Sequence, residues 1–122
     1  MKVLTGIDIV KIERIAKSIQ STHFLERVFH KDELALFESK KVAPQTVAGN
    51  FAVKEAFSKA LGCGISGFAL NEVCTLRDDK GKPYIVLYGK AKEKLGEIES
   101  MDVSISHTDT DAIAVVTILK KV

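Results

Sequence analysis

Phe51-Ala52-Val53-Lys54-Glu55-Ala56-Phe57-Ser58-Lys59-Ala60-Leu61 is a nearly all-apolar stretch that nevertheless carries three charges. Its spacing predicts a largely buried helix on which Glu55 and Lys59 stand one turn apart, one above the other. Ala48, Ala52 and Ala56 flank them, and such small side chains let another chain segment or a ligand come close. The plain reading of Glu55 and Lys59 is an i,i+4 ion pair on a solvated stripe, worth a few tenths of a kcal/mol. Pro44 opens this helix and Gly62 closes it, the usual asymmetry of proline at the start and glycine past the end.

Upstream of the helix, residues 1–10 are rich in Val and Ile and alternate imperfectly, which predicts a strand ending near Asp8 or Ile9. A helix follows, with Ile12, Ile15 and Ile19 as its buried stripe and Lys11, Arg14 and Lys17 as a basic outer face. Residues 23–28 read as a short helical turn, and residues 31–39 as a helix with Leu34 and Phe37 inward and acids in its first turn. Downstream of Gly62 the period changes to alternation. Residues 71–77 and 84–88 are strands joined by the turn-rich Asp78-Asp79-Lys80-Gly81-Lys82-Pro83, and residues 89–98 are a short surface helix. Val103-Ser104-Ile105-Ser106 alternates, His107-Thr108-Asp109-Thr110-Asp111 turns, and residues 112–119 are apolar enough for a central strand. The sum is an α+β fold, helices packed on one face of a mostly antiparallel sheet, formed as a single domain over residues 1–122.

The chain's 122 residues suffice to bury a core without a disulfide or structural metal. Eighteen Lys plus Arg against 16 Asp plus Glu leave a formal charge of +2, too balanced for sequence-independent binding to a nucleic-acid backbone. The apolar runs fall short of a membrane span. Cys63 and Cys74 lie outside any C-x-x-C pattern and no secretory leader precedes them, so reduced thiols in a cytoplasm are expected.

Three constellations carry candidate chemistry. Gly6-Ile7-Asp8 places a carboxylate in an apolar strand end, where it is costly to desolvate unless it is paired, bound to a cation, or used as a cap for the next helix. Asp8 together with Glu55 suits magnesium, which takes one or two protein carboxylates and completes its shell with water and substrate phosphates. The sequence shows no cysteine or histidine cluster of the kind that zinc prefers. Lys54 and Lys59 beside such a pair answer a phosphate-bearing substrate. Ser104-Ile105-Ser106-His107-Thr108 invites a catalytic Ser-His pair, but no G-x-S-x-G elbow accompanies it and adjacent strand residues point to opposite faces. Hydroxyls and an imidazole that satisfy turn backbone groups, or that contact phosphate, are the alternatives.

In order and spacing, Gly6-Ile7-Asp8, residues 51–62, Gly81-Lys82-Pro83 and Val103-Ser104-Ile105-Ser106-His107-Thr108 resemble the short bacterial 4'-phosphopantetheinyl transferases of the holo-acyl-carrier-protein synthase type. The resemblance spans the whole chain. It implies transfer of the phosphopantetheine arm of coenzyme A to a serine of apo-acyl carrier protein, with magnesium required and adenosine 3',5'-bisphosphate released, in fatty acid biosynthesis. It further implies that Asp8 and Glu55 hold the metal, that Lys59 stabilises phosphate charge, and that His107 and Thr108 bind the nucleotide end of coenzyme A with Pro83 near the adenine. The proton of the serine goes to Glu55 or to a metal-bound water held by Asp8. An acidic carrier would meet Arg14 on the basic helix, while Lys17 reads as an ordinary solvated residue. A homotrimer with active sites between subunits is also implied. One departure stands out: Asn50 occupies the position before Phe51 at which many members carry arginine, so a phosphate contact from that position is not carried over. The reading from a different class is a non-catalytic α+β module that binds a nucleotide or a protein, with Glu55 and Lys59 merely paired.

Overall fold

The computed structural model describes residues 1–64 and 66–121. Strand β1 (Lys2–Lys11) leads directly into helix α1 (Ile12–Ser18), followed by α2 (Thr22–Val28), α3 (Lys31–Ser39) and the long α4 (Pro44–Leu61). A 3-10 turn at Leu70–Glu72 then precedes the hairpin of β2 (Val73–Arg77) and β3 (Pro83–Leu87), and α5 (Gly89–Leu95) leads to β4 (Ile98–His107) and β5 (Asp111–Lys120). All strand pairs are antiparallel, but they form two sheets: a three-stranded one in the order β1-β5-β4 and a separate β2-β3 pair.

The alternation of β5 decides the layering. Ala112, Ala114, Val116 and Ile118 are fully buried beneath α4, while Thr117 between them is exposed. From α4, Val47, Val53 and Phe57 enter the same core, which Phe29 and Phe37 extend through edge-to-face stacking at 4.9 Å. Pro44 lies in the first turn of α4, and Gly62, at φ 77°, ends the helix in the left-handed conformation that residues with a Cβ avoid.

Gly6 sets the distance between β1 and α4. A Cβ at this position would run into the Ala56 carbonyl oxygen and stand 2.6 Å from the Ala60 amide nitrogen. The small face of α4 therefore receives the β1 backbone itself. At the other end of α4 a Cβ on Gly49 would lie 2.9 Å from Ile105 Cγ2, so the helix crosses the sheet from the β4 edge to the β1 edge.

Several boundaries differ from the sequence reading: β1 runs on to Lys11 instead of ending near Asp8 or Ile9, β3 spans Pro83–Leu87 instead of residues 84–88, and β4 starts well before Val103. Residue 98 belongs to β4 and not to the preceding helix, because Gly96 at φ 70° stops α5. Residues 71 and 72 are part of the 3-10 turn, so β2 starts at Val73.

Candidate active site

Gly6, Asp8 and Val10 share the face of β1 that meets α4, since side chains alternate along a strand. The close approach at Gly6 brings Asp8, two residues on, over the solvent edge of α4, where Glu55 and Lys59 project. Lys59 Nζ donates to Asp8 Oδ1 at 3.1 Å, and the Asp8 side chain is only 16% exposed. The ion pair read within the helix, Glu55 with Lys59, is thus replaced by one between α4 and β1. Asp8 does not cap α1 either, because Lys11 occupies the cap position and no side chain accepts there.

Glu55 is left without that direct lysine partner. Partial burial and the negative charge of Asp8 push its pKa up, while Lys59 and Arg14 oppose the shift. Two carboxylates, one of which resists ionising beside the other, make a set of hard oxygen donors suited to a small divalent cation. Arg14, exposed on α1, completes the charged surface around them. Lys17 instead pairs with Glu13 at 3.8 Å in full solvent, as an ordinary surface residue does.

Lys54 requires a correction. Expected to meet substrate phosphates, it is fully buried and points away from Asp8 and Glu55, donating to Glu33 Oε1 at 2.6 Å, to the Leu70 carbonyl at 3.1 Å and to the Val73 carbonyl. Burial pulls its pKa down against the opposing charge of Glu33. One helical step separates Lys54 from Glu55, and that step turns the two side chains to different sides of α4. Glu33, which sequence reasoning did not single out, is the hub: it also accepts from Asn50 Nδ2 at 2.9 Å, from the Thr75 amide at 3.2 Å and from the His30 amide at 3.0 Å. The three-residue spacing from His30 was the available signal, since it marks a capping box at the start of α3.

His107 and Pro83 come together, although 24 positions separate them in sequence. Both line an open cleft of about 480 Å³ whose walls also include Lys40, Gln45, Thr46 and Arg77. Neither Asp8 nor Glu55 belongs to those walls. Thr108 is a turn residue: its Oγ1 accepts from the amides of Thr110 at 3.2 Å and Asp111 at 3.1 Å. The strand register places His107 opposite Ala112 on the helix face and Ser106 opposite Ile113 on the other, so no Ser106–His107 catalytic pair forms.

A cluster that the sequence did not reveal lies elsewhere: His30, Asp32 and Cys74 bring ligand atoms within 4.8 Å of one another. The expectation that no cysteine and histidine would meet is corrected in space. The cluster nevertheless has structural work, because His30 Nδ1 accepts from the Asp32 amide and its ring stacks on Tyr88 at 4.5 Å. Burial pushes the Cys74 thiol up to about 12, far from the thiolate that a metal would need.

Among known proteins, the family model described as the 4'-phosphopantetheinyl transferase superfamily matches residues 5–116. A holo-[acyl-carrier-protein] synthase of Clostridium botulinum is 46% identical over 115 residues, covering 89% of this chain and 90% of the relative. The Helicobacter pylori holo-[acyl-carrier-protein] synthase solved in complex with coenzyme A superimposes with a TM-score of 0.81 at 39% identity, over 94% of this chain and 99% of that one. The Bacillus anthracis synthase solved in complex with CoA (3',5'-ADP) gives 0.80 at 31% identity, over 97% and 96%. With a match across nearly its whole length and the helix-on-sheet architecture of those relatives, this chain belongs to the 4'-phosphopantetheinyl transferase superfamily.

Proposed function

We propose that this chain transfers the 4'-phosphopantetheine group of coenzyme A to a serine of apo-acyl carrier protein and releases adenosine 3',5'-bisphosphate, at a magnesium site on Asp8 and Glu55 completed by a second copy of the chain. The observation that carries the reading is the meeting of Asp8, Glu55 and Lys59 where β1 crosses α4, two carboxylates and a lysine drawn from elements far apart in sequence. Magnesium held by that pair would neutralise charge on the pyrophosphate as its oxygen leaves.

The chain's own residues have separate tasks. Lys59 holds Asp8 in place and adds positive charge beside the leaving phosphates. The proton of the carrier serine goes to Glu55 or to a water held beside Asp8. The cleft at Pro83 and His107 takes the nucleotide end of the donor, with Thr108 shaping the turn behind it. Arg14 meets an acidic carrier and aims its serine at the adjacent carboxylates.

A homotrimer with sites between subunits suits two features. The sheet face opposite α4 leaves Val3, Ile7 and Ile9 between 56% and 62% exposed, with Thr5 between the first two, a largely apolar row for a monomer to carry in water. The carboxylates and the His107 cleft stand at opposite edges of that sheet, an arrangement that a neighbouring copy could complete. No helix among the described residues is long and apolar enough to cross a membrane, and a cytoplasmic location accords with the free thiols of Cys63 and Cys74.

The test is the intact mass of an apo-acyl carrier protein after incubation with this protein, coenzyme A and magnesium. A gain of one phosphopantetheine group is expected; an unchanged carrier, with a known transferase active on the same sample, overturns the reading.

A further inference from the structure

Arg77 ends β2 half-buried at the cleft that holds His107 and Pro83. Its Nη2 donates to Asn50 Oδ1 at 2.8 Å and its Nη1 to the Leu76 carbonyl at 3.3 Å. Among the described residues it pairs directly with no carboxylate. A guanidinium carries more N–H donors than these two contacts use, and the charge cannot be shed. Asp78 and the exposed Asp79 share the cleft; Asp78 Oδ1 is committed to the amides of Lys80 and Lys82, each at 2.9 Å. Lys40 adds a further positive charge to the walls.

Asn50 is fully buried and all of its capacity is directed. Its Nδ2 donates to Glu33 Oε2 and to the Thr75 carbonyl, both at 2.9 Å, and those two bonds turn Oδ1 toward Arg77. The amide orientation follows from this network, since the reverse would face its NH2 toward a guanidinium and its oxygen toward a carboxylate. A rigid buried carboxylate thus fixes an asparagine, and the asparagine fixes a guanidinium at the cleft wall. Asn50 stands where the sequence resemblance leads one to expect arginine; here the guanidinium reaches the same place from β2.

We propose that Arg77 reads the phosphomonoester of the donor's nucleotide end in this cleft, and that Asn50 is its positioning residue. The assignment rests on the coenzyme A reading above, in which the pyrophosphate belongs with Asp8 and Glu55 and leaves the monoester as the remaining anion. Monodentate lysine would supply charge without the fork that grips two phosphate oxygens at once.

The experiment uses the assembled protein and two probe pairs: adenosine 3',5'-bisphosphate against adenosine 5'-monophosphate in calorimetry, and coenzyme A against 3'-dephospho-coenzyme A in carrier modification. Wild type is expected to prefer the 3'-phosphorylated member of each pair. Arg77→Gln should reduce that preference roughly tenfold to a hundredfold, as loss of a charge-assisted hydrogen-bonded contact does, through KM and not kcat. Arg77→Lys should keep only part of it and serves as the readout if Arg77→Gln does not fold. Asn50→Ala should lower the same preference while Arg77 remains, an effect on a ratio that loss of folded protein does not produce. Unchanged preference in the Arg77 variants overturns the proposal, and unchanged preference in Asn50→Ala overturns the positioning role. Equal weakening of both members of each pair would put Arg77 on the diphosphate and also overturn it. If wild type discriminates the two nucleotides but modifies no carrier, the transfer reading fails while Arg77 keeps its assignment.

Discussion

Asp8 and His107 face the same side of one three-stranded sheet from its two opposite edges. β1 carries Asp8 and β4 carries His107, while β5 runs between them, pairing Ala114 with Asp8 and Ala112 with His107. Two interstrand steps amount to about 10 Å, and α4 fills the face between the edges, with Gly49 against Ile105 at one end and Ala56 against Gly6 at the other. Within one chain the Asp8 carboxylate and the His107 cleft therefore stand at different edges of the sheet. Two copies related by rotation can instead set the β1 edge of one against the β4 edge of the next.

Asp8→Asn and Glu55→Gln should each remove several kcal/mol of transition-state stabilisation, lowering carrier modification by about a hundredfold or more. Neither change affects the buried core, so circular dichroism should match wild type. Wild-type rates with the magnesium dependence retained would contradict the metal assignment.

Lys54→Met should act on stability instead of on donor binding. It leaves the Glu33 carboxylate buried without its cation, a loss on the order of 3–5 kcal/mol, read as a lower denaturant midpoint. The KM for coenzyme A, measured on the folded protein, should stay near wild type. A stable variant with a greatly raised KM would restore Lys54 to the substrate site.

Glu55 also sets a pH dependence in the metal-free protein. Its folded pKa lies above the ordinary glutamate value of 4.5, so between those two values the folded state holds more proton than the unfolded one. Stability from this residue is therefore present at pH below 4.5 and is lost as pH rises through the raised folded pKa. In chelator, Glu55→Gln should be more stable than wild type at pH 7, and the difference should vanish toward pH 4. A difference of opposite sign would mean that Glu55 is held as a stabilised carboxylate.

How much of this was legible in the sequence depended on whether the cause was local. Pro44 and Gly62 bounded α4 because cap chemistry acts within a turn, and residues 31–39 matched α3 for the same reason. Asp8 and Glu55 were visible as carboxylates in apolar surroundings. The side to which Lys54 turns was hidden, since its partner Glu33 lies 21 residues away on another helix. Likewise, nothing local announces that β2 and β3 pair apart from the other strands, or that Arg77 reaches Asn50 across 27 positions.

Arg14→Glu should raise the KM for the carrier strongly and leave that for coenzyme A almost unchanged, because Arg14 is exposed on α1 beside the carboxylates and outside the cleft that holds His107 and Pro83. Added salt should reproduce the effect in wild type. Equal loss for both substrates would indicate a structural defect and not a docking contact.

The central claim, a transfer site assembled from two chains, is tested most directly by mixing two inactive variants. Glu55→Ala spoils the carboxylate half of the site and His107→Ala the nucleotide half; each is first confirmed to be severely impaired alone. Unfolded and refolded together in equal amounts, they should form cyclic trimers in which about one cleft in four draws an intact Glu55 from one chain and an intact His107 from its neighbour. Intact-mass analysis of the apo-carrier should then show modification at about that fraction of the wild-type rate, and only after subunit exchange. A refolded mixture as inactive as its two components would mean that both residues serve one chain's own cleft, and would contradict the shared site.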